Sequence, residues 1–156
     1  MLQGPARAQV YSVDVRPPGI SYRVTQTEHF DLIFESGFER EAVRMGVLLE
    51  ESLSRARELV GTTRQFRMPV VLNAFNDRSN GFVTPFPFKM EIEIPSLKGN
   101  RLSPRHPSWL HAVGRHELIH AVHAEFGKGI GVIGMFRLFS PDLSRMLNLM
   151  VPTGVA

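Results

Sequence analysis

Three residues of one predicted helix have the types and the spacing of a catalytic metal site. His116, Glu117 and His120 form an H-E-x-x-H pattern. Residues four apart on a helix share a face, so the two imidazoles converge on one tetrahedral metal ion. Glu117 is rotated by about 100° from His116 and reaches a coordinated water without ligating the metal. The pattern predicts zinc-assisted attack of water on a carbonyl, with Glu117 as general base.

The sequence around this motif is typical of a buried helix. Pro107 and Ser108 suit its first turn, and Gly127 suits a left-handed cap after Phe126. Apolar residues occur on more than one side of the helix, which indicates that other elements surround it. The alternative interpretation is that His116 and His120 are core histidines bonded to backbone groups, with Glu117 in solvent.

A catalytic zinc site needs three protein ligands, and the third is not evident. The chain has no Cys, so the ligand must be His or a carboxylate. Asp142 is a candidate, although capping and the helix dipole also explain a carboxylate at a helix start. His123 lies on a different face from the pair, which favours a surface or supporting role. Glu125, the last Glu, is badly placed, and the longer H-E-x-x-H-x-x-G-x-x-H pattern fails because His123 and Phe126 hold its Gly and His places.

Composition sets the class of protein. The 156 residues are 43% hydrophobic, enough for one domain with its own core. The net charge is +3 and the basic residues are scattered, so nothing supports a nucleic-acid partner. The sequence contains no run of 18 apolar residues, so no membrane span is predicted.

The first nine residues have two interpretations. Residues 1–9 are either disordered or the remnant of a signal peptide, because Ala6-Arg7-Ala8 fits the A-x-A cleavage pattern. The second interpretation predicts an exported protein, periplasmic or extracellular.

Hydrophobic periodicity predicts a mixture of strands and helices. Apolar residues step by three or four from Phe38 to Val60, which predicts a long packing helix ended by Gly61. A further helix is expected to begin at Ser140-Pro141-Asp142 and to stop at Pro152. The predicted strands are Val10 to Val15, Ile20 to Val24 with Phe30 to Phe34 (a strand pair or one bent strand), and a buried central strand from Met68 to Phe75.

One more strand is predicted to bind substrate. It alternates cleanly, with Lys89, Glu91 and Glu93 on one side and Met90, Ile92 and Ile94 on the other. Prolines on both sides favour an edge position. An edge strand beside the metal helix would pair with an extended peptide; the alternative is an ordinary edge strand with a solvated charged face.

Together these residues resemble the zincin metallopeptidases, in particular the thermolysin-like gluzincin branch (peptidase MA type). They are similar in particular to bacterial domains that precede a Tol-type β-propeller. The resemblance runs from Phe30 to His120, and H-E-x-x-H is its only specific motif. It implies that His116 and His120 bind Zn²⁺, that Glu117 is the base, that the substrate is a peptide or protein, and that a Glu on a later helix is the third ligand.

The resemblance also predicts that the chain is a fragment. Val151 to Ala156 resembles the segment that leads into the ligating Glu, so residues 10–156 would be a zincin-like domain without its third ligand or a C-terminal propeller, and whether this fragment is active is left open. We therefore expect an α+β, zincin-like fold with a mixed sheet of about four to five strands, a long packing helix and the metal helix. The alternatives are a degenerate zincin-like binding module without catalysis, and a non-metal α+β domain with a fortuitous motif.

Overall fold

The computed structural model describes residues 17–75, 80–94, 109–126 and 140–150. In this part of the chain, five strands and three helices follow one another in an order that mixes the two types. The elements are β1 (Tyr22–Gln26), β2 (Phe30–Glu35), α1 (Glu39–Val60), β3 (Met68–Asn73), β4 (Gly81–Pro85), β5 (Phe88–Glu93), α2 (Trp109–Phe126) and α3 (Pro141–Met150).

The five strands form one mixed sheet in the order β1-β2-β3-β5-β4. The three inner strands are parallel, and β1 and β4 run antiparallel at the two sides. The predicted α+β class and mixed sheet are confirmed. Of the two alternatives for Ile20 to Val24 and Phe30 to Phe34, the structure has the strand pair and not one bent strand. The chain turns between β1 and β2, where Thr27 N–H donates to the Phe30 carbonyl at 2.9 Å.

Helix α1 follows the predicted apolar periodicity closely. It begins one residue after Phe38 and ends at Val60, and Gly61 follows in the left-handed conformation with φ of 73°. Only glycine adopts that conformation at little cost, which explains the stop. The apolar stripe of α1 is almost completely buried; its innermost members are Ala42, Met45, Leu49, Leu53 and Ala56.

The core lies between one face of the sheet and the helices. Alternate residues of the parallel strands point into it because side chains along a strand alternate between the two faces. α1 packs over β2, α2 packs over β5 and β4, and the two helices pack against each other. The fully buried strand residues are Phe30, Leu32, Met68, Val70, Leu72, Met90 and Ile92. Strand β3 is the middle strand of the five, as predicted.

The predicted edge position of residues 89–94 is wrong. β5 pairs with β3 on one side and with β4 on the other, so its backbone groups are occupied within the sheet. The alternation itself is confirmed, since Met90, Ile92 and Ile94 are buried together in the core. The opposite side is not a solvated face: Lys89 and Glu91 form an ion pair with side chains 25% and 12% exposed, and Glu93 is 7% exposed.

Strand β4 holds the edge position instead. The sequence pattern predicts no strand at its residues, Gly81 to Pro85, and Asn80-Gly81 is a typical loop signal. The signal for a strand was the run Phe82-Val83-Thr84, whose aromatic and β-branched side chains favour extended backbone. A turn at residues 86–87 folds β4 back onto β5 as a hairpin, and this hairpin removes β5 from the edge.

Some predictions concern residues outside the described ranges. These are the segment 1–9, the strand Val10 to Val15, the cap at Gly127 and the C-terminal residues Val151 to Ala156. In the part of the chain that is described, no helix has the length and apolar character needed to cross a membrane.

The packing of α1 predicts unequal effects for two Leu→Ala substitutions. Leu49 is fully buried and Leu59, on the same helix, is 56% exposed. Leu49→Ala should lower the free energy of unfolding by about 2–5 kcal/mol through loss of burial and a new cavity. Leu59→Ala is the matched control and should change it by less than about 0.5 kcal/mol. Urea denaturation followed by circular dichroism measures both, and equal effects would contradict the packing described.

Candidate metal centre

Helix α2 carries the H-E-x-x-H motif through the interior of the domain. Its first residue, Trp109, donates its indole N–H to the Glu93 carbonyl at 3.4 Å, which ties the start of α2 to the end of β5. Apolar residues line its inner faces, as the sequence predicted; Leu118, Ala121 and Val122 are 0% exposed and Val113 is 6% exposed. The helix is therefore fixed by packing on more than one side.

Two glycines allow neighbouring elements to come very close to α2. A Cβ atom at Gly114 would lie 2.8 Å from Met45 Sδ of α1. A Cβ atom at Gly81 of β4 would lie 2.4 Å from Val113 Cγ2 and 2.9 Å from Glu117 Cγ. Real Cβ atoms do not approach so closely, so a side chain at Gly81 would force the helix away from the strand.

The two histidines meet above the outer face of α2. Both side chains are exposed, and their Nε2 atoms lie 3.1 Å apart with the rings at 77° to each other. Two nitrogens that share a tetrahedral zinc, each at about 2.0–2.1 Å from it, lie about 3.3 Å apart. The pair therefore has the donor type and the spacing that a shared metal ion requires.

Burial gives Glu117 the properties of a proton acceptor. The residue is only 6% exposed, and its side chain lies against the backbone of Gly81. Burial raises the pKa of the Glu117 carboxyl, and the charge of the nearby His116 opposes that shift. A carboxylate with a raised pKa accepts a proton more readily near neutral pH.

The surroundings of His120 favour the neutral form of its ring. Although the residue is exposed overall, partial desolvation of the ring lowers its pKa, and the neighbouring His116 and His123 lower it further. A lower pKa keeps the imidazole neutral over a wider pH range, and only the neutral ring has a lone pair for a metal. The donor set therefore fits a divalent cation such as zinc.

This geometry contradicts the interpretation of His116 and His120 as core histidines. In that interpretation the histidines are inside and Glu117 faces solvent. The structure has the reverse arrangement, with both histidines exposed and Glu117 buried. Their juxtaposition follows from the four-residue spacing on one helix, and it is compatible with a pair of metal ligands.

The candidates for a third ligand do not join the pair. Asp142 Oδ1 accepts from Arg145 at 2.8 Å, and Glu125 Oε2 accepts from the same guanidinium at 2.6 Å. His123 is half-buried and acts on His120 through its charge. Within residues 17–75, 80–94, 109–126 and 140–150, no three His, Asp or Glu side chains are arranged to hold a metal ion. The third ligand remains a prediction.

Comparisons with known proteins identify no relative: no family model, curated protein or solved structure matches this chain.

Sequence reasoning found the motif but missed the residue that Glu117 lies against. Gly81 sits on the edge strand, and its missing side chain makes room for both Val113 and Glu117. Its backbone has no positive φ, so the turn chemistry that usually marks glycine in a sequence does not apply here. The only sequence signal was a glycine next to a β-favouring run, where close approach of another element is a known use of glycine.

The close approach at Gly81 predicts a steric coupling. Gly81→Ala should lower the free energy of unfolding by about 1–3 kcal/mol, because the new methyl group overlaps Val113. In the double variant with Val113→Ala the closer of the two clashes is removed and the one with Glu117 Cγ remains, so the combined loss should be smaller than the sum of the two single losses. Urea unfolding of the four proteins measures this coupling. Simple additivity, or a Gly81→Ala variant as stable as the parent, would contradict the fit between β4 and α2.

Proposed function

We propose that this protein is a zinc-dependent peptidase of the zincin type, in which His116 and His120 are two of three metal ligands and Glu117 is the general base. The observation that carries the proposal is the 3.1 Å separation of the two Nε2 atoms on the helix that also carries the buried carboxylate of Glu117. The zincin-like fold, the zinc cofactor and an exported location are parts of the same proposal. They rest on the motif and its resemblance.

Each residue of the motif has a separate task. When bound, Zn²⁺ lowers the pKa of a coordinated water and polarises the substrate carbonyl. Glu117 takes the proton of the attacking water and passes it to the leaving amine, a role that its raised pKa supports. The packing of α2 against Gly81 and Met45 positions this carboxylate and limits the access of bulk water to it.

Within the described residues no strand pairs with the outer side of β4, and this side is the proposed place for the substrate backbone. Glu93 N–H donates to the Asn80 carbonyl at 2.8 Å, which makes that pair a hydrogen-bonded one. Such pairs alternate along an antiparallel ladder, so the backbone groups of Phe82 also face β5. Those of Val83 therefore face the open edge. An extended peptide paired there would lie beside Gly81, against which Glu117 packs.

The third ligand is proposed to come from outside the described residues. The resemblance implies a Glu on a later helix, beyond the segment Val151 to Ala156. A ligand from a distant part of the chain is consistent with the exposed position of the His pair, which leaves the outer side of the site accessible.

Removing either histidine should abolish metal binding, whereas removing the base should not. In a chain extended past Ala156 by about sixty residues, enough for one more loop and the helix with the third ligand, His116→Ala and His120→Ala should each reduce bound zinc from one per chain to near zero, because two of three ligands do not hold the ion tightly. Glu117→Gln should retain zinc and lower kcat by about 10²–10⁴. Metal content is measured by mass spectrometry on protein purified without a nickel column, and activity with fluorogenic peptides. His111→Ala, on the same helix, is the matched control.

Two outcomes would overturn the proposal in different ways. Equal zinc content in the parent and all variants would mean that the motif binds no metal. One zinc per chain, lost in both histidine variants but without hydrolysis of any peptide by the parent, would leave a zincin-like binding module without catalysis.

The substrate position is tested by a proline on β4. Val83→Pro removes the N–H that faces the open edge but leaves the hydrogen-bonded pairs with β5, a place where strands tolerate proline. It should lower kcat/KM about fivefold, the effect of about 1 kcal/mol from one lost hydrogen bond. Zinc content should not change. Val83→Ala controls for lost packing, and equal kcat/KM in the two variants would exclude pairing at this edge.

A further inference from the structure

A second cluster of ionisable groups lies at the end of the sheet opposite to Gly81. Gly81 is paired with Ile92, near the carboxyl ends of the parallel strands. His29 directly precedes β2, at the amino ends of β2 and β3, where Phe30 pairs with Met68. The proposed catalytic residues do not take part in this second cluster, so its role is independent of the proposed function.

His29 makes polar contacts with three other elements. Its backbone N–H donates to Glu50 Oε1 of α1 at 2.8 Å, and its Nδ1 lies 2.7 Å from Glu50 Oε2. Its Nε2 lies 2.6 Å from Gln65 Oε1 in the α1–β3 loop, residues 61–67. Its carbonyl accepts from Met68 N–H, the first residue of β3, at 3.1 Å. The side chain of His29 is only 12% exposed.

The identity of the contacting atoms fixes the protonation state of the ring. Arg57 Nη2 lies 3.0 Å from the same Gln65 atom. A guanidinium only donates hydrogen bonds, so that atom must be the amide oxygen and not the nitrogen. The Glu50 carboxylate is also an acceptor. Both ring nitrogens of His29 therefore face acceptors, and only the imidazolium form can donate to both.

The charged groups around His29 agree with a positive ring. Hydrogen bonds from Thr27 and His29 help to lower the pKa of Glu50 despite the opposing effect of burial, so Glu50 is a carboxylate. Glu28 lies 3.8 Å from Nε2 but is 80% exposed. Of the cations, Arg57 binds Gln65 and Arg67 binds Asp31 at 2.6 Å.

We propose that His29 is a protonation-dependent clamp, which in its imidazolium form holds the α1–β3 loop and the β1–β2 turn to α1. When the ring loses one proton, one of its two nitrogens has a lone pair instead of an N–H. That nitrogen can no longer donate to the oxygen it contacts, and the two lone pairs repel each other. The contact with Gln65 is then the one released, because Glu50 retains its negative charge and keeps the remaining N–H. The α1–β3 loop is thereby freed at this end of the sheet.

The direction of the pKa shift sets the pH range of the clamp. Burial by itself would lower the pKa of His29, but the hydrogen bonds to Glu50 and Gln65 and the charge of Glu50 outweigh burial and raise it above the ordinary 6.5. A group with a raised pKa in the folded state stabilises that state fully below its unfolded value. The stabilisation is lost as the pH rises through the higher, folded value.

Two substitutions at Gln65 test the clamp in opposite directions. Gln65→Leu removes the acceptor at Nε2 and should shift the titration midpoint of His29 to lower pH. Gln65→Glu places a charged acceptor there and should shift it to higher pH. NMR of the ring protons measures the midpoint in the full chain. Gln26→Leu, at a glutamine bonded to Asp31 instead of His29, is the matched control and should leave the midpoint unchanged.

Hydrogen exchange and unfolding supply the structural readout. As the pH rises through the His29 midpoint, the Met68 amide should lose protection faster than intrinsic exchange explains, and the free energy of unfolding should fall over the same pH range. In the two Gln65 variants this range should move with the midpoint. A His29 midpoint at or below 6.5 in the parent protein, or midpoints that are equal in both Gln65 variants, would overturn the proposal.

Discussion

The close fit of α2 between α1 and β4 is the constraint on which the candidate site depends. At Gly114 the helix meets Met45 of α1, and at Gly81 the edge strand meets Val113 and Glu117. A methyl group at either glycine would overlap its neighbour. Because the helix is confined on both sides, its rotation about its own axis is fixed, and that rotation decides which residues of the motif are buried.

The result is an uneven environment along a single turn of helix. Glu117 is buried while His116 and His120, which flank it in sequence, are exposed. Burying a carboxylate disfavours its charged form and so opposes folding. The fully buried Leu118, Ala121 and Val122 on the same helix compensate with apolar contacts. An unfavourable free energy at one residue, outweighed by the packing around it, is typical of functional sites.

Periodicity and residue type predicted the parts of this structure that are local. Helix α1 and the stop at Gly61 follow from spacing and backbone freedom, and the His pair follows from the geometry of four residues on a helix. The position of β5 was wrong because an edge is a property of the whole sheet, and the prolines that suggested an edge belong partly to β4. Gly81 could not be predicted, since its partners Val113 and Glu117 are more than thirty positions away in the sequence. The network of His29, Glu50 and Gln65 joins three elements that no local pattern connects.

The spacing of His116 and His120 has a consequence for how a metal ion would affect stability. The two rings belong to successive turns of one helix, so they can come together in any state of the chain in which that helix forms, folded or not. A ligand stabilises a fold only to the extent that it prefers the folded over the unfolded chain. Two ligands that are this close in sequence contribute little to that preference. A third ligand from a distant part of the chain would contribute most of this preference. The metal ion would then connect segments that are far apart in the sequence, instead of two residues of one helix.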